Sequence, residues 1–225
     1  MGIHRTVLAM LLLATPVWAE AEAQDPWFAS GRAALERARE RAPEAGTAKN
    51  AILFVGDGMG ISTITAARIL QGQQRGETGE ENQLSFEALP HLALAKTYNT
   101  NQQVADSAGT MTAIASGVKT KAGVLGVSDR VQPGNHESVA ESRVATILEQ
   151  AEERGLSTGI VTNTTLTHAT PAALYAHAPH RDWENDTELS DAARKADFPD
   201  IAVQLVEFPH GDGIEVALGG GRSNF

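Results

Sequence analysis

The sequence predicts an α/β fold in which a central, mostly parallel sheet is flanked by helices. Apolar runs of strand length alternate with amphipathic segments between residues 51 and 218, which is the order that strands and crossover helices produce. The run at residues 51–55 is apolar throughout, as is typical of a strand buried on both faces of a sheet. Glycines separate several of the runs and mark the turns.

The first part of the chain is predicted to contain two helices and one strand. Residues 26–41 carry apolar side chains among charges, which indicates an amphipathic helix. Residues 43–47 form a short linker, and residues 51–55 form the first strand. Residues 62–71 are predicted to be helical, because Ile64 and later apolar residues recur at helical spacing.

The middle of the chain alternates polar and apolar stretches. Residues 72–83 are polar and contain glycine, which predicts a loop, and residues 92–98 are a candidate second strand. Residues 107–118 are small and apolar with no helix breaker before Gly117, so we predict a buried helix.

The last part of the chain continues the alternation. Residues 144–154 mix apolar with charged side chains and stop at Gly155, which predicts a surface helix with a glycine cap. Residues 158–162 and 214–218 are the third and fourth predicted strands, and residues 200–207 form a short helix.

Composition limits the classes of protein to consider. The chain has 225 residues, 42% of them hydrophobic, enough for one domain with a sizeable core. A net charge of -10 without a basic run argues against nucleic-acid binding. The absence of cysteine excludes a disulfide framework and any thiolate metal site.

The N-terminus resembles an export signal. Arg5 supplies a positive start, residues 6–17 are apolar, and Ala19, Ala21 and Ala23 are suitable cleavage positions. The alternative is a membrane anchor, but about 12 apolar residues are too few to span a bilayer. We therefore predict a signal peptide, no transmembrane segment and a periplasmic or secreted product.

Ser107 is the candidate nucleophile. It follows Asp106 at the predicted start of a helix, and no Gly-x-Ser-x-Gly elbow of an α/β-hydrolase surrounds it. A metal ion or the positive end of the helix would have to activate the hydroxyl, and helix N–H groups also bind phosphate. The alternative is that Asp106 or Ser107 merely caps the helix.

Other polar residues follow the predicted strands, where ligands bind in open α/β sheets. Asp57, between two glycines, is a candidate metal ligand, or else a cap of the following helix. Thr170 is a second candidate ligand, unless it only leads into a helix with Pro171 at its first position. His168 holds a metal-bound water or simply packs, and the glycines at 219–221 lie after the fourth strand.

Arg181 is the candidate phosphate-binding residue. A guanidinium offers paired donors that match phosphate oxygens. The alternative is a surface pair with Asp182, which would contribute little to stability. His177 and His180 have a spacing that metal ligands can adopt, but nothing nearby completes such a site.

Seven motifs occur in one order along the chain: Gly56-Asp57-Gly58-Met59-Gly60, Thr65-Ala66-Ala67-Arg68, Asp106-Ser107-Ala108, Gly117-Val118-Lys119, His168-Ala169-Thr170-Pro171-Ala172, Arg181-Asp182-Trp183 and Leu218-Gly219-Gly220-Gly221. Together they resemble the N-terminal part of the alkaline phosphatase family, from residue 49 to residue 225. His168 and Trp183 make the animal-type branch the better match. Residues 27–45 resemble the helical arm that embraces the second subunit in that branch.

The resemblance implies a two-step reaction on a small phosphomonoester. Ser107 would attack phosphorus in line and become phosphoserine, which water would then hydrolyse. Arg181 would clamp two phosphate oxygens, and Asp106 would help to position Arg181. The full-length protein would be a homodimer.

The resemblance also implies two zinc ions and one magnesium ion. Asp57 would bridge one zinc and the magnesium, Ser107 would bind the same zinc, and Thr170 would bind the magnesium. His168 would lie near the magnesium and orient its water or the phosphate.

Alkaline phosphatases continue well beyond the strand predicted at residues 214–218. The resemblance implies that the continuation supplies the remaining metal ligands and strands, so we expect a sheet that is incomplete at its C-terminus. The expected organisation is a signal peptide at 1–23, a helical arm at 24–48 and the N-terminal part of the phosphatase domain at 49–225. We expect little or no turnover from these residues alone.

Two alternatives remain at this point. One is a phosphodiesterase or sulfatase relative, although Ser107 is followed by Ala108-Gly109 and not by a sulfatase modification motif. Phosphodiesterase relatives usually carry threonine at the nucleophile position. The other alternative is a non-catalytic fragment.

Overall fold

The structure, a computed structural model, describes residues 26–40 and 46–225. The predicted signal peptide at 1–23 and the first part of the predicted linker lie outside the described residues. Within them, no helix combines the length and apolar character needed to cross a membrane. The chain divides into a first unit, formed by the chain up to Val55 and by Met59–Leu94, and a second unit, formed by Gly56–Gly58 and Ala95–Phe225.

The first unit contains two helices and a short turn. Helix α1 is Pro26–Glu40 and helix α2 is Ile61–Gln74, so the helices predicted at 26–41 and 62–71 are confirmed. Helix α2 extends into the segment that was predicted to be a loop. A 3₁₀ turn follows at Ser85–Ala88.

Two predicted strands are wrong. Residues 51–55 and 92–98 have no regular secondary structure, and Phe54 and Leu92 are 89% and 94% exposed. A strand exists only when its backbone pairs with a neighbour, and within the described residues the paired strands are those of one two-stranded sheet. An apolar run therefore forms a strand only where another strand is present to pair with it.

The second unit alternates helices with the two strands of this sheet. Its elements are α3 Ser107–Ser116, α4 Ile147–Glu152, β1 Gly159–Thr165, α5 Ala169–Ala172, α6 Asp191–Lys195, α7 Ile201–Val206 and β2 Val216–Gly220. Turns of 3₁₀ helix lie at His136–Ser138, Asp186–Glu188 and Arg222–Asn224. The helices predicted at 107–118, 144–154 and 200–207 and the strands predicted at 158–162 and 214–218 are confirmed, with small shifts at their ends.

Side-chain caps explain where these helices begin. Asp106 accepts the Gly109 N–H at the start of α3, and Thr146 and Glu149 form a capping box at the start of α4. Helix α3 ends at Gly117, whose φ of 76° lies in the left-handed region that favours glycine.

Strands β1 and β2 pair in parallel, with Ile160 opposite Ala217, as the predicted fold class requires. The glycines at 219–221 allow the strands to pack closely, and Gly219 and Gly220 lie within β2. A Cβ atom at Gly219 would lie 2.7 Å from Thr162 Cγ2. The α/β fold is thus confirmed as a small parallel sheet flanked by helices.

The main core of the second unit lies where α3, α5 and β1 pack together. Most of its members are small or aliphatic side chains with almost no exposed surface, including Ala108, Met111, Ala115, Leu125, Ile160, Ala172 and Ile201, and Tyr175 is buried among them. The small side chains predicted for α3 are what let this helix lie close to its neighbours. The N-terminus of α3 is therefore held in place from inside the fold.

Helix α4 differs from the predicted surface helix, because it buries acidic side chains. Glu149 is only 3% exposed, and its Oε1 atom lies 2.7 Å from His177 Nε2 and 3.3 Å from His210 Nε2. Its Oε2 atom accepts the Thr146 N–H at 2.8 Å. Burial by itself would raise the pKa of Glu149, but the hydrogen bonds from His177 and Thr146 and the nearby imidazoles hold it below its usual value.

We expect Glu149→Ala to lower the free energy of unfolding by about 3 kcal/mol at neutral pH, because it leaves buried donors without an acceptor. The folded-state pKa is lowered, so the carboxylate stabilises the fold above its unfolded pKa of about 4.3. That stabilisation is lost as the pH falls through the lower folded value. Denaturant titrations at neutral, mildly acidic and strongly acidic pH measure the difference.

The control is Glu153→Ala, because the Glu153 side chain is 59% exposed and pairs only with His210 in the described contacts. It should change stability by less than about 1 kcal/mol. If Glu149→Ala lowered the free energy of unfolding by the same amount at neutral and at strongly acidic pH, the stabilising role of the ionised Glu149 carboxylate would be contradicted.

Candidate active site

Three predicted site residues meet at one carboxylate oxygen. Ser107 Oγ donates to Asp57 Oδ2 at 2.7 Å, and Thr170 Oγ1 donates to the same atom at 2.9 Å. Ser107 is the first residue of α3 and Thr170 lies in α5, just after β1. Residues far apart in the sequence are thus brought within hydrogen-bond distance.

The other three predicted residues form a second group. Arg181 NH1 donates to Asp106 Oδ2 at 3.2 Å, and Arg181 NH2 lies 3.3 Å from His168 Nε2. His168 Nδ1 also faces the Thr170 N–H at 3.4 Å. A neutral imidazole has one acceptor nitrogen, so only one of these two long contacts is a hydrogen bond at a time.

The two groups are joined by the chain itself, since Asp106 precedes Ser107 and His168 lies two residues before Thr170. All six predicted residues therefore lie in one site of the second unit. The site follows the C-terminal end of β1 and the N-terminus of α3, where ligands commonly bind in α/β folds.

Asp106 is the most highly connected side chain of the site. Its Oδ1 atom accepts from Asn99 Nδ2 at 2.8 Å and from Gly109 N at 3.0 Å. Its Oδ2 atom accepts from Gly123 N at 2.9 Å and from Arg181 at 3.2 Å. Every acceptor position that two carboxylate oxygens offer in this geometry is used.

The charges of the site favour ionised carboxylates. The Ser107 hydroxyl lowers the pKa of Asp57, and although burial opposes this, Thr170, His168 and Arg181 act in the same direction as Ser107. Burial would raise the pKa of Asp106, but its hydrogen bonds from Gly109, Gly123, Asn99 and Arg181 outweigh burial and lower it. Both side chains are therefore anionic at neutral pH.

The structure decides among several local alternatives. Gly60 begins α2 without a side-chain cap, so Asp57 is not the cap of that helix. Asp106 is an N-cap and contacts Arg181 as well, so the two interpretations of this residue are compatible. Arg181 Nε also lies 3.7 Å from exposed Asp182, but its contact with half-buried Asp106 is shorter.

Two residues of the site were not predicted. Asn99 is 3% exposed and fixes one oxygen of Asp106. Gly123 donates its N–H to Asp106, and its carbonyl accepts the Arg181 N–H at 2.8 Å, so it holds both partners of the ion pair. Only long-range contacts reveal these roles, and no local pattern in the sequence indicates them.

The donor set fits a hard cation in part. Asp57, Ser107 and Thr170 offer one carboxylate and two hydroxyl oxygens, the ligand type that Mg²⁺ prefers. A catalytic zinc takes about three protein ligands, commonly including histidine. Among the residues that the structure describes, no group of three or more His, Cys, Asp or Glu could hold a metal ion.

Gly109 lets α3 lie against the loops that hold Asp106. A Cβ atom there would lie 2.8 Å from both Asn99 Oδ1 and the Lys121 carbonyl oxygen. We expect Gly109→Ala to lower the free energy of unfolding by about 2 kcal/mol despite the better helix propensity of alanine. Gly31→Ala in α1, where nothing lies within 4 Å, should not destabilise. Equal unfolding midpoints for the two variants would contradict this packing.

The described residues form an α/β fold that gathers a serine, two aspartates and an arginine beyond the end of a strand, the position where open α/β sheets bind their ligands. The alkaline phosphatase profile matches residues 48–225, and the chain belongs to the alkaline phosphatase family. The predicted family resemblance is thereby confirmed.

Relatives from animals match most of the chain. Alkaline phosphatase of Gadus morhua is 51% identical over 175 residues, which are 78% of this chain and 36% of that protein. The tissue-nonspecific isozyme of Gallus gallus is 47% identical over 219 residues, 96% of this chain and 42% of that protein. The chain therefore spans about two fifths of the length of these relatives.

A solved structure supports the fold. The cold-active alkaline phosphatase of the psychrophile Shewanella sp. superimposes with a TM-score of 0.55 at 32% identity. The match covers 76% of this chain and 36% of that chain. The matched part of this chain thus shares its fold with about a third of that structure.

Proposed function

We propose that the protein hydrolyses phosphomonoesters through a phosphoserine formed on Ser107. One observation carries the proposal: in a chain of this family, Ser107 Oγ lies at the N-terminus of α3 and 2.7 Å from Asp57 Oδ2. The hydroxyl is held by an anionic carboxylate, so its position is fixed before a substrate arrives.

Arg181 and α3 are the groups that would bind the phosphate. Arg181 keeps its guanidinium beside Asp106 and His168, and the N–H groups at the start of the ten-residue helix α3 favour an anion. The carboxylate of Asp106 orients Arg181 without neutralising its capacity to donate, because a guanidinium has five N–H donors.

The chemistry then takes two displacements. The Ser107 oxygen forms a bond to phosphorus as the bond to the alcohol oxygen breaks, and the alcohol leaves with a proton. Water next attacks the phosphoserine, releases inorganic phosphate and returns the hydroxyl of Ser107. Asp57 accepts the Ser107 hydroxyl and so orients the serine oxygen before the first displacement, and Thr170 donates to the same Asp57 oxygen and fixes its position.

We propose zinc and magnesium as cofactors, held in part by Asp57, Ser107 and Thr170 with His168 nearby. When bound, such ions supply Lewis-acid stabilisation of the attacking and leaving oxygens. The resemblance to alkaline phosphatases and the oxygen donors around Asp57 Oδ2 support this.

The test is to trap the intermediate. The purified protein, supplied with zinc and magnesium, is mixed with an isotopically labelled phosphomonoester and quenched in acid, and the label is located by mass spectrometry. We expect phosphate on Ser107 and none in Ser107→Ala. Turnover with the label on another residue would contradict the proposal.

A second candidate is a non-catalytic segment that carries the nucleophile without a complete metal site. The donor set favours it, because the described residues give only part of a zinc ligand set. Absence of both metal uptake and labelling in the same experiment would establish this second candidate.

We further propose that residues 1–23 direct export to the periplasm or the medium and that the full-length protein is a homodimer. The apolar run after Arg5 supports the first proposal, and the family resemblance of residues 27–45 supports the second. N-terminal sequencing of the secreted product and sedimentation measurements test them.

A further inference from the structure

One carboxylate outside the six-residue site holds three segments of the chain together. Glu184 Oε2 accepts from Thr165 Oγ1 at 2.9 Å, from Thr167 Oγ1 at 2.5 Å and from Asn224 Nδ2 at 2.9 Å. Asn224 Nδ2 also donates to Thr167 Oγ1 at 2.7 Å. Hydrogen bonds to a charged acceptor are stronger than neutral ones, so this is a firm junction.

The position of Glu184 relates it to the site. Thr165 ends β1 and Thr167 immediately precedes His168. Glu184 itself lies three residues after Arg181. Its carboxylate thus ties the segment that carries His168 to the segment that carries Arg181.

We propose that Glu184 is a positioning residue that sets the separation of His168 and Arg181 for phosphate binding. The inference rests on the proposed function, because only that function requires His168 and Arg181 to contact one phosphate group. Neither the family resemblance nor the pattern of the sequence indicated a role for this residue.

The direct contact between the two site residues is too weak to set their distance. Arg181 NH2 and His168 Nε2 are 3.3 Å apart, which is long for a hydrogen bond. Arg181 is anchored on its own side by Asp106 and by the Gly123 carbonyl. His168 donates its backbone N–H to the Thr165 carbonyl at 3.1 Å, its own carbonyl accepts the Ala172 N–H at 2.9 Å, and its ring faces Thr170. All three contacts lie within one segment, so none of them ties His168 to the segment of Arg181.

The Glu184 junction supplies the missing constraint. Thr167 is fully buried, so its hydroxyl needs a partner, and Glu184 is the acceptor that the structure gives it. Without the carboxylate, the turn that carries His168 can shift relative to Arg181. A displacement of about 1 Å in a positioning group can cost on the order of 100-fold in rate.

The alternative is that Glu184 only stabilises the fold, and the controls separate the two roles. Glu149→Ala is a destabilised control, because Glu149 pairs with His177 and His210 and contacts none of the six site residues in the described hydrogen bonds. Glu188→Gln is a matched neighbour control, because Glu188 is exposed and accepts only the Glu184 N–H, at 3.3 Å.

The experiment uses the full chain labelled with ¹³C and ¹⁵N. The side-chain NMR resonances of His168 and Arg181 are recorded for wild type, Glu184→Ala, Glu184→Gln and the two controls, beside unfolding midpoints. We expect Glu184→Ala to shift both resonances and Glu184→Gln, which keeps one acceptor oxygen, to shift them less. The controls should leave them in place. If Glu184→Ala does not fold, the resonances of Glu184→Gln show whether Glu184 positions His168 and Arg181.

Kinetics with p-nitrophenyl phosphate provide the second measurement. Glu184→Ala should lower kcat/KM by about 10- to 100-fold, with most of the change in KM, because phosphate binding is the step that needs both residues. Wild-type resonances in Glu184→Ala and Glu184→Gln, or equal shifts in Glu149→Ala, overturn the positioning role. Shifted resonances in a protein without turnover leave the positioning role intact and overturn the proposed function.

Discussion

In the full-length protein with its metal site complete, Ser107→Ala is expected to lower phosphomonoester turnover by on the order of 10⁴-fold or more. The substitution removes the oxygen that would bond to phosphorus and leaves Asp57 with Thr170 as its remaining hydroxyl donor. It leaves Arg181 and the Asp106 cap untouched, so substrate binding should survive. Steady-state kinetics should therefore show a loss in kcat that far exceeds any change in KM.

Ser116→Ala is the matched control for this experiment. Ser116 is the last residue of α3, and its hydroxyl donates to the Thr112 carbonyl at 2.6 Å. The same chemical change at the other end of the helix should leave kcat within a few-fold of wild type. Comparable losses in the two variants would show that helix integrity, and not the nucleophile, determines turnover.

Asp106→Asn is expected to lower the free energy of unfolding by about 3 kcal/mol. The carboxylate accepts two donors on each oxygen, so an amide NH₂ must face either Asn99 and Gly109 or Gly123 and Arg181. In either orientation two donors lose their acceptor. Thermal and denaturant unfolding measure the loss of stability. Weaker phosphate binding should accompany it, because in either orientation Arg181 loses its ion pair with Asp106.

Asp200→Asn provides the contrast. Asp200 is also an N-cap, accepting the Val203 N–H at 2.8 Å, but burial raises its pKa and nearby Asp186 adds to the increase. A raised folded-state pKa means that the charge weakens the fold at neutral pH. Asparagine caps as well as aspartate, so this variant should be as stable as wild type. If Asp200→Asn lowered the free energy of unfolding as much as Asp106→Asn, the four hydrogen bonds to Asp106 would not explain its effect.

Much of the fold could be predicted because its signals are local. Helix α3 follows from small apolar residues bounded by Asp106 and Gly117, and the strands β1 and β2 follow from short apolar runs with glycine nearby. The strands predicted at 51–55 and 92–98 failed, because strand formation depends on a partner that a single segment does not specify.

The site likewise combines residues with local sequence signals and residues whose roles depend on other segments of the chain. Six residues that the structure brings into hydrogen-bonded groups could be proposed from the sequence, since Ser107 stands at a helix start and Asp57, His168 and Thr170 stand in recognisable motifs. Asn99, Gly123 and Glu184 were missed, because their roles consist of contacts with residues outside their own local segments, from 7 to 40 positions away. Glu184, for example, contacts Asn224 across 40 positions.

The exposed run at residues 51–55 affects how the protein behaves in solution. Ile52, Leu53 and Phe54 are 80%, 63% and 89% exposed, and the run contains no charge and no proline. Such a segment can pair edge to edge with an identical segment of another molecule, which is a route to aggregation. Self-association should therefore increase with protein concentration. A single charge in the run, as in Leu53→Lys, should reduce it.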